Sequence, residues 1–569
     1  MNPTGQTIRS LIDYHADKSP DQTFVTYPET GKSHTWREFQ VRVQAIAGHL
    51  TGLKLPSGVP VTGLLGNGQA ALEFFLGGMY GGLQVLLANP LAGPDILAYV
   101  LDHSETTTLF VAPQHENLVE KALSKLSKSP QIIPTHPDNG PDWGVIGTNE
   151  KLLATAPRPE DVAMLIYTSG TTGNPKGVEL TYDNFTFELD CIEEVIRFIP
   201  GDCYVSWLPL AHVFGQVADN HLWARYALHL HVVDNALHAV DYAKKVQPAL
   251  FIGVPRIYEK VYSNLKSTLD SKAVIRIGLK IPGLKKVLQK AVKRKIGMVN
   301  CKYAITGAAP INPDILRLFH HIGVPLYEGY GMTETTAGAS INYKGNMKIG
   351  SVGKTLPGGT ELKTDTDGEI MFRGRHVMKG YYNNPTATAE VMDGDWLRSG
   401  DIGKIDKEGF VTITGRKKEL YVSSGGKNIA PLVIEETMKA IPLVSQCFLV
   451  GDARKFCSAL LTLDVSAILR DKFEMDGAHL PKDPAKQIAL LNEQGRQLSE
   501  YTDSADIHAE IEAQVMELNK QFAPPEQIKK FTILPRDFTV DDGELTPTLK
   551  IRRIQIRENW ASEIEDMYA

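Results

Sequence analysis

A chain of 569 residues carrying a net charge of −6 is too long for one ordinary core, so two or more domains are expected. Its 43% hydrophobic and 22% charged residues exclude a disordered chain, and the acidic balance argues against nucleic acid as a partner. Five scattered cysteines (191, 203, 301, 447 and 457) form no CxxC pair and fit reduced thiols better than a disulfide framework or a zinc site.

The first residues, MNPTGQTIRSLIDYHADK, contain no apolar h-region, so no signal peptide is expected and the chain reads as cytoplasmic. A polar hairpin-like piece, VTYPETGKSHTW, precedes a helix expected from Trp36 to Leu50. From 59 to 112, strand-like runs (VPVTGLLG, LQVLLANP, TTTLFVA) alternate with helix-like runs (QAALEFFLGGMYGG, PDILAYVLDHS). That alternation points to βαβ units and parallel sheets flanked by helices. Phe74 to Ala88 is too short to span a bilayer and carries four glycines, so it reads as a buried helix and strand. Residues 127–160 are polar and proline-rich and read as a surface connection.

Next comes YTSGTTGNPKG, residues 167–177, after the apolar run Val162 to Ile166. Hydroxyls of Thr168, Ser169, Thr171 and Thr172, the flexible backbone at Gly170, Gly173 and Gly177, and the charge of Lys176 suit a polyphosphate. It is not a Walker A loop, because Pro175 precedes Lys176 and Gly177 follows it. A helix is expected over 183–198, capped by Thr181 or Asp183. Strands are expected at 204–208, 230–233 and 249–252. Residues 272–302 hold ten basic residues and no acidic one, broken at Pro282 and Gly283. They read as two short helices that are either a solvated face or a surface for an anionic membrane.

A helix is expected to begin at Pro313. Short strand-like runs with glycine turns between 350 and 415 suggest a small β-rich subdomain. Residues 419–569 read as α+β, with strands near 446–451, 458–463 and 529–534 and a long charged helix pair around 483–522.

Several motifs, taken together, carry a resemblance. They are YTSGTTGNPKG, WLPLAHVFG at 207–215, ITGAAP at 305–310, YEGYGMTET at 327–335, SGD at 399–401, GRKK at 415–418, SSGGKNIAP at 423–431 and GELTPTLKIRR at 543–553. In kind and order they resemble the adenylate-forming superfamily of acyl-CoA synthetases, luciferases and adenylation domains. The Leu-Lys form of the last motif resembles the long-chain fatty-acid–CoA ligase branch.

The resemblance implies an α/β fold with a large N-terminal AMP-binding domain (1–415) and a smaller mobile C-terminal α+β domain (416–569). It implies ATP, Mg²⁺ and coenzyme A, and a fatty, long-chain carboxylate joined to CoA through an acyl-adenylate. Lys550, Thr333, Glu334 and His212 take catalytic positions, Glu334 also as the metal ligand. Nucleotide contacts fall on Thr168 to Gly173, Lys176, Ala308, Ala309, Glu328, Gly329, Tyr330, Gly331, Asp401 and Arg416. Ser424, Gly425, Gly426 and Lys427 border the pantetheine arm, and Lys418 is the hinge. Alternatives are a medium-chain or aryl acid–CoA ligase, a fatty acyl-AMP ligase loading a carrier protein, and a non-catalytic nucleotide-binding scaffold. Monomer and homodimer both stay open, as does contact with the inner face of a membrane through 272–302.

Overall fold

The computed structural model describes residues 7–143, 156–168, 174–217, 222–271, 281–422, 428–473, 475, 480–481, 484–539, 542–545 and 551–569. Ser169 to Gly173, Ser424 to Lys427, Lys550 and residues 272–280 therefore lie outside the described residues.

Two large sheets organise residues 7–382. The first runs, in spatial order, Gly380–Tyr381, Lys176–Thr181, Val162–Thr168, Val85–Leu87, Val61–Leu64, Thr108–Val111 and Gln131–Pro134. Pairing is parallel from Val162–Thr168 through to Gln131–Pro134 and antiparallel at the other end. The second has a parallel centre (Leu326–Tyr330, Tyr303–Thr306, Leu250–Gly253, Cys203–Ser206, His229–Val232, Thr23–Tyr27), with antiparallel strands added at both ends. Buried parallel strands need helices on their faces. Trp36–Gly52 and Gln69–Tyr80 supply two of these, and Thr35 caps the first in a reciprocal box with Glu38. The two helices meet closely: a Cβ on Gly77 would stand 2.4 Å from Ile46 Cγ2, so only glycine fits there.

A smaller five-stranded sheet (Glu361–Thr364, Glu369–Arg373, Trp396–Ile405, Met392–Asp393, Val411–Arg416) follows, as the texture of 350–415 suggested. Beyond it, Val444–Val450, Cys457–Leu463 and Ile528–Ile533 form a three-stranded sheet. One core cluster takes side chains from Ile8 to Val411, a second from Tyr421 to Ile533, and a third from Phe448 to Met567. Across the gap, Arg256 Nη2 lies 3.4 Å from Ser445 Oγ.

Two expectations need correction. Within 127–160, Gln131–Pro134 is an edge strand, paired in parallel with Thr108–Val111. Ile132 and Ile133 suffice to extend an existing edge, and an edge strand tolerates Pro134. The charged helix pair around 483–522 is three helices among the described residues: Pro484–Glu493, Ser499–Thr502 and Ala505–Asn519. Gly495, at φ +72°, follows the first of them. In the basic region, the helix Pro282–Lys295 exposes Leu284 and Val287. No helix among the described residues is long and apolar enough to cross a membrane.

Candidate active site

The strand Leu326–Tyr330 ends at Gly331, where a Cβ would stand 2.0 Å from Ala337 O. Only glycine lets the chain fold back that tightly. Thr335 Oγ1 accepts from Met332 N at 3.0 Å and closes the short turn Thr333–Thr335. That turn holds Glu334 buried and Thr333 half-buried.

Tyr330 Oη donates to Asp401 Oδ2 at 2.6 Å. The other oxygen, Oδ1, meets Arg416 Nε at 2.8 Å, because Asp401 and Arg416 face each other in the small sheet. Ser399 Oγ accepts from Asp401 N at 2.9 Å and donates to Ile370 O at 2.6 Å, which fixes the turn. Burial, then the Asp401 charge, push the Tyr330 phenol well above its usual range, so it stays a donor.

Val162–Thr168 and Lys176–Thr181 pair antiparallel, with Thr168 opposite Lys176. The glycine-rich segment thus joins the two strands of a hairpin, unlike a Walker A loop, which leads into a helix. Lys176 Nζ sits 4.7 Å from the centre of the Tyr381 ring. The same tyrosine donates its Oη to Glu334 Oε1 at 2.8 Å. Tyr381 reaches this place because Gly380–Tyr381 pairs with Lys176–Thr181. Burial raises the Glu334 carboxyl above its ordinary value, against the Tyr381 hydrogen bond. The buried carboxylate suits a hard divalent cation, while the ammonium nearby suits anionic oxygens rather than the cation.

Sequence reading missed Tyr381. Its only signal was a pair of adjacent tyrosines in GYYNNP, with no charge to draw attention.

The third wall is built by 207–215 and 305–310. Asn67 Nδ2 donates to Trp207 O and Leu208 O at 3.1 and 2.9 Å, and Asn67 Oδ1 accepts from Leu210 N at 3.2 Å. Gly215 follows so tightly that its Cβ would stand 2.5 Å from Pro209 O. This clamp presents His212 half-buried, at the head of the helix Val213–Val217. A Cβ on Gly307 would stand 3.2 Å from Gly329 O and 3.7 Å from Phe214 Cζ, so this one glycine touches both neighbouring motifs. Ala308, at φ +67°, and Ala309 are exposed on the same turn. Glu328 is buried, accepts from Ile311 N at 3.4 Å, and is pushed up to about 8, chiefly by burial.

Tyr330, Asp401 and Arg416 thus meet at the end of the strand Leu326–Tyr330, Glu334, Tyr381 and Lys176 are linked beside its return turn, and the turn of Gly307, Ala308 and Ala309 stands between Gly329 and Phe214, two residues from His212. Lys418 lies apart, exposed in the turn Lys417–Glu419, while Lys417 Nζ pairs with Asp367 and Glu369 at 2.6 and 2.9 Å.

A family model described as AMP-binding enzyme matches residues 12–382. The long-chain-fatty-acid–CoA ligase FadD15 of Mycobacterium bovis is 34% identical over 511 residues, covering 83% of this chain and 81% of that protein. The long-chain-fatty-acid–CoA ligase ACSBG2 of Gallus gallus is 35% identical over 452 residues, covering 72% of this chain and 59% of that protein. Among solved structures, ATP-bound MatB from Rhodopseudomonas palustris superposes with a TM-score of 0.72 at 21% identity, covering 98% and 99% of the two chains.

Proposed function

Because the chain belongs to the AMP-binding enzyme family, we propose that it joins a fatty, long-chain carboxylic acid to coenzyme A at the expense of ATP. The observation that carries this reading is the meeting of Tyr330, Asp401 and Arg416 with Glu334, Tyr381 and Lys176 on one strand end. Those groups supply what the chemistry needs: an aromatic face for adenine, a carboxylate for a ribose diol, and an acid and a cation at the phosphates.

In the first half-reaction a carboxylate oxygen attacks the α-phosphorus of ATP and pyrophosphate leaves. No general base is required, since a carboxylic acid is already ionised at neutral pH. Lys176 and the hydroxyls of 168–172 neutralise the leaving pyrophosphate, and Thr333 holds an α-phosphate oxygen. Glu334 would hold Mg²⁺, which supplies charge neutralisation on the phosphates. His212 borders the carboxylate, Ala308 and Ala309 the adenine and acyl chain, and Lys550 steadies the charge that develops at phosphorus. In the second half-reaction the CoA sulfur attacks the acyl carbonyl and AMP leaves. We assign 1–415 and 416–569 as the two domains, with rotation at Lys418 exchanging Lys550 for Ser424 to Lys427 beside the thiol arm. The separate core clusters on either side of 411–421 support that division.

We assign a membrane-facing role to the helix Pro282–Lys295, at the inner face of the membrane. Its exposed Leu284 and Val287 are flanked by Lys286, Lys290, Arg294 and Lys295, the composition of an in-plane helix on anionic lipid. Sedimentation with phosphatidylglycerol vesicles, lost in Leu284→Asp/Val287→Asp, tests it.

The reaction is tested by mass spectrometry of products from Mg·ATP, CoA and a panel of carboxylates from C2 to C18 plus benzoate. Long-chain acyl-CoA with matching AMP is expected. Adenylate without thioester would point to an acyl-AMP ligase, and turnover confined to short or aryl acids would overturn the substrate class.

A further inference from the structure

The same sheet carries a second group of side chains at the end away from this site. Cys203 opens the strand Cys203–Ser206 and His229 opens its neighbour, His229–Val232. These strands pair in parallel with His229 opposite Cys203, so both side chains stand on one face. His231, two residues on, stands there too. Trp207 and its motif follow the other end of Cys203–Ser206, so the reaction site and this cluster occupy opposite edges of the parallel sheet.

One ligand atom from each of Cys203, His229 and His231 lies within 4.8 Å of the other two. The imidazole rings are 4.2 Å apart between centroids. Each ring uses one nitrogen on a hydroxyl: His229 Nε2 meets Thr26 Oγ1 at 2.9 Å, and His231 Nδ1 stands 3.5 Å from Tyr242 Oη. Where the ring nitrogen donates to that hydroxyl oxygen, the other nitrogen carries the lone pair, as in the outer shell of metal-bound histidines. His231 is buried, with Cys203 and His229 half-buried, so the group is neither a solvent-washed surface patch nor sealed from an entering ion.

We infer that Cys203, His229 and His231 form a metal site for a borderline-soft divalent ion of the zinc class, a thiolate and two imidazoles with water in the fourth position. Zinc bonds of about 2.0–2.1 Å to nitrogen and about 2.3 Å to sulfur put tetrahedral ligands roughly 3.3–3.6 Å apart, so modest side-chain rotation closes the set. Binding replaces the Cys203 S–H bond with an S–metal bond and releases that proton to solvent. The bound ion ties together the strands that begin at Cys203 and His229, and through Thr26 the strand Thr23–Tyr27. Sequence reading set zinc aside because the scattered cysteines form no CxxC pair; strand pairing is what brings Cys203 beside His229.

The test uses full-length protein without an affinity tag, stripped by chelator and titrated with Co²⁺ and then Zn²⁺. One equivalent of Co²⁺ is expected to give a near-ultraviolet thiolate-to-cobalt band and tetrahedral visible bands, both abolished by one equivalent of Zn²⁺. Cys203→Ser should lose the near-ultraviolet band. His229→Gln and His231→Gln should each weaken Zn²⁺ by roughly tenfold or more. Zn²⁺ should raise the melting temperature of the parent chain and not of Cys203→Ser. Asp234→Asn, in the exposed group Glu29, Asp234 and His238, should leave the band intact. No cobalt band, a band that survives Cys203→Ser, or Zn²⁺ affinity unchanged in both histidine variants would overturn the assignment.

Discussion

Tyr330 and Asp401, 71 residues apart in the chain, share a 2.6 Å hydrogen bond that ties the strand Leu326–Tyr330 to the small sheet. The tyrosine thereby positions a carboxylate already held on its other oxygen by Arg416. Tyr330→Phe keeps the aromatic face and removes only this bond. A hydrogen bond to a charged group is worth about 1.5–3 kcal/mol. The KM for ATP should rise by roughly tenfold or more, with a smaller change in kcat. Steady-state kinetics with ATP varied decides it, and an unchanged KM would remove Asp401 from the nucleotide site.

Tyr381 links Glu334 to Lys176 through its hydroxyl and its ring. Tyr381→Phe should raise the Mg²⁺ concentration for half-maximal adenylation by about threefold to tenfold, since Glu334, already raised by burial, loses the hydrogen bond that favours its charged form. Tyr381→Leu should do the same and also raise the KM for ATP, because Lys176 loses the ring beneath it. Mg²⁺ titrations of the two variants separate these effects. Identical behaviour of Phe and Leu would deny the ring a part.

How far the site was legible depends on how local its logic is. Helix starts were readable because caps are written in adjacent residues. Thr181 caps its helix in a reciprocal box with Asn184, and Pro313 begins its helix behind Asn312. The motif order, and with it the family, was readable for the same reason. Tyr381 was not, because its role comes from pairing a two-residue strand with one roughly two hundred residues earlier. The edge strand Gln131–Pro134 escaped notice because its own residues barely favour a strand, and the neighbouring edge decides the matter.

Glu328 offers a pH test. Burial pushes its carboxyl from an ordinary 4.5 up to about 8. Between those values the folded chain keeps a proton that the unfolded chain has released. Its contribution is therefore complete below about pH 4.5 and fades as pH rises toward 8, losing at most about 1.4 kcal/mol for each pH unit crossed. Glu328→Gln keeps an acceptor for Ile311 N and cannot ionise. Its melting temperature relative to the parent should climb from pH 5 to about pH 8 and level off above that. A constant difference across that range would contradict a raised carboxyl at Glu328.

His376 gives the opposite slope. Its ring is fully buried against Phe187, neither nitrogen has a hydrogen-bond partner among the described residues, and burial lowers its pKa to about 4. As pH falls from 6.5 to about 4, the unfolded chain takes up a proton that the folded chain refuses, so stability is lost on the acid side. His376→Leu should be close to neutral at pH 7.5 and more stable than the parent at pH 5. Thermal scans at the two pH values test this, and equal shifts at both would contradict it.

We propose that a fatty carboxylate and ATP react beside Tyr330, Glu334, Lys176 and Asp401, assisted by Lys550. ATP–pyrophosphate exchange, run without CoA, measures that step alone. Exchange should require both Mg²⁺ and a long-chain acid, and should fall sharply in Asp401→Ala and Lys550→Ala. Exchange that no acid from C2 to C18 stimulates, or that both variants support at the parental rate, would contradict the account.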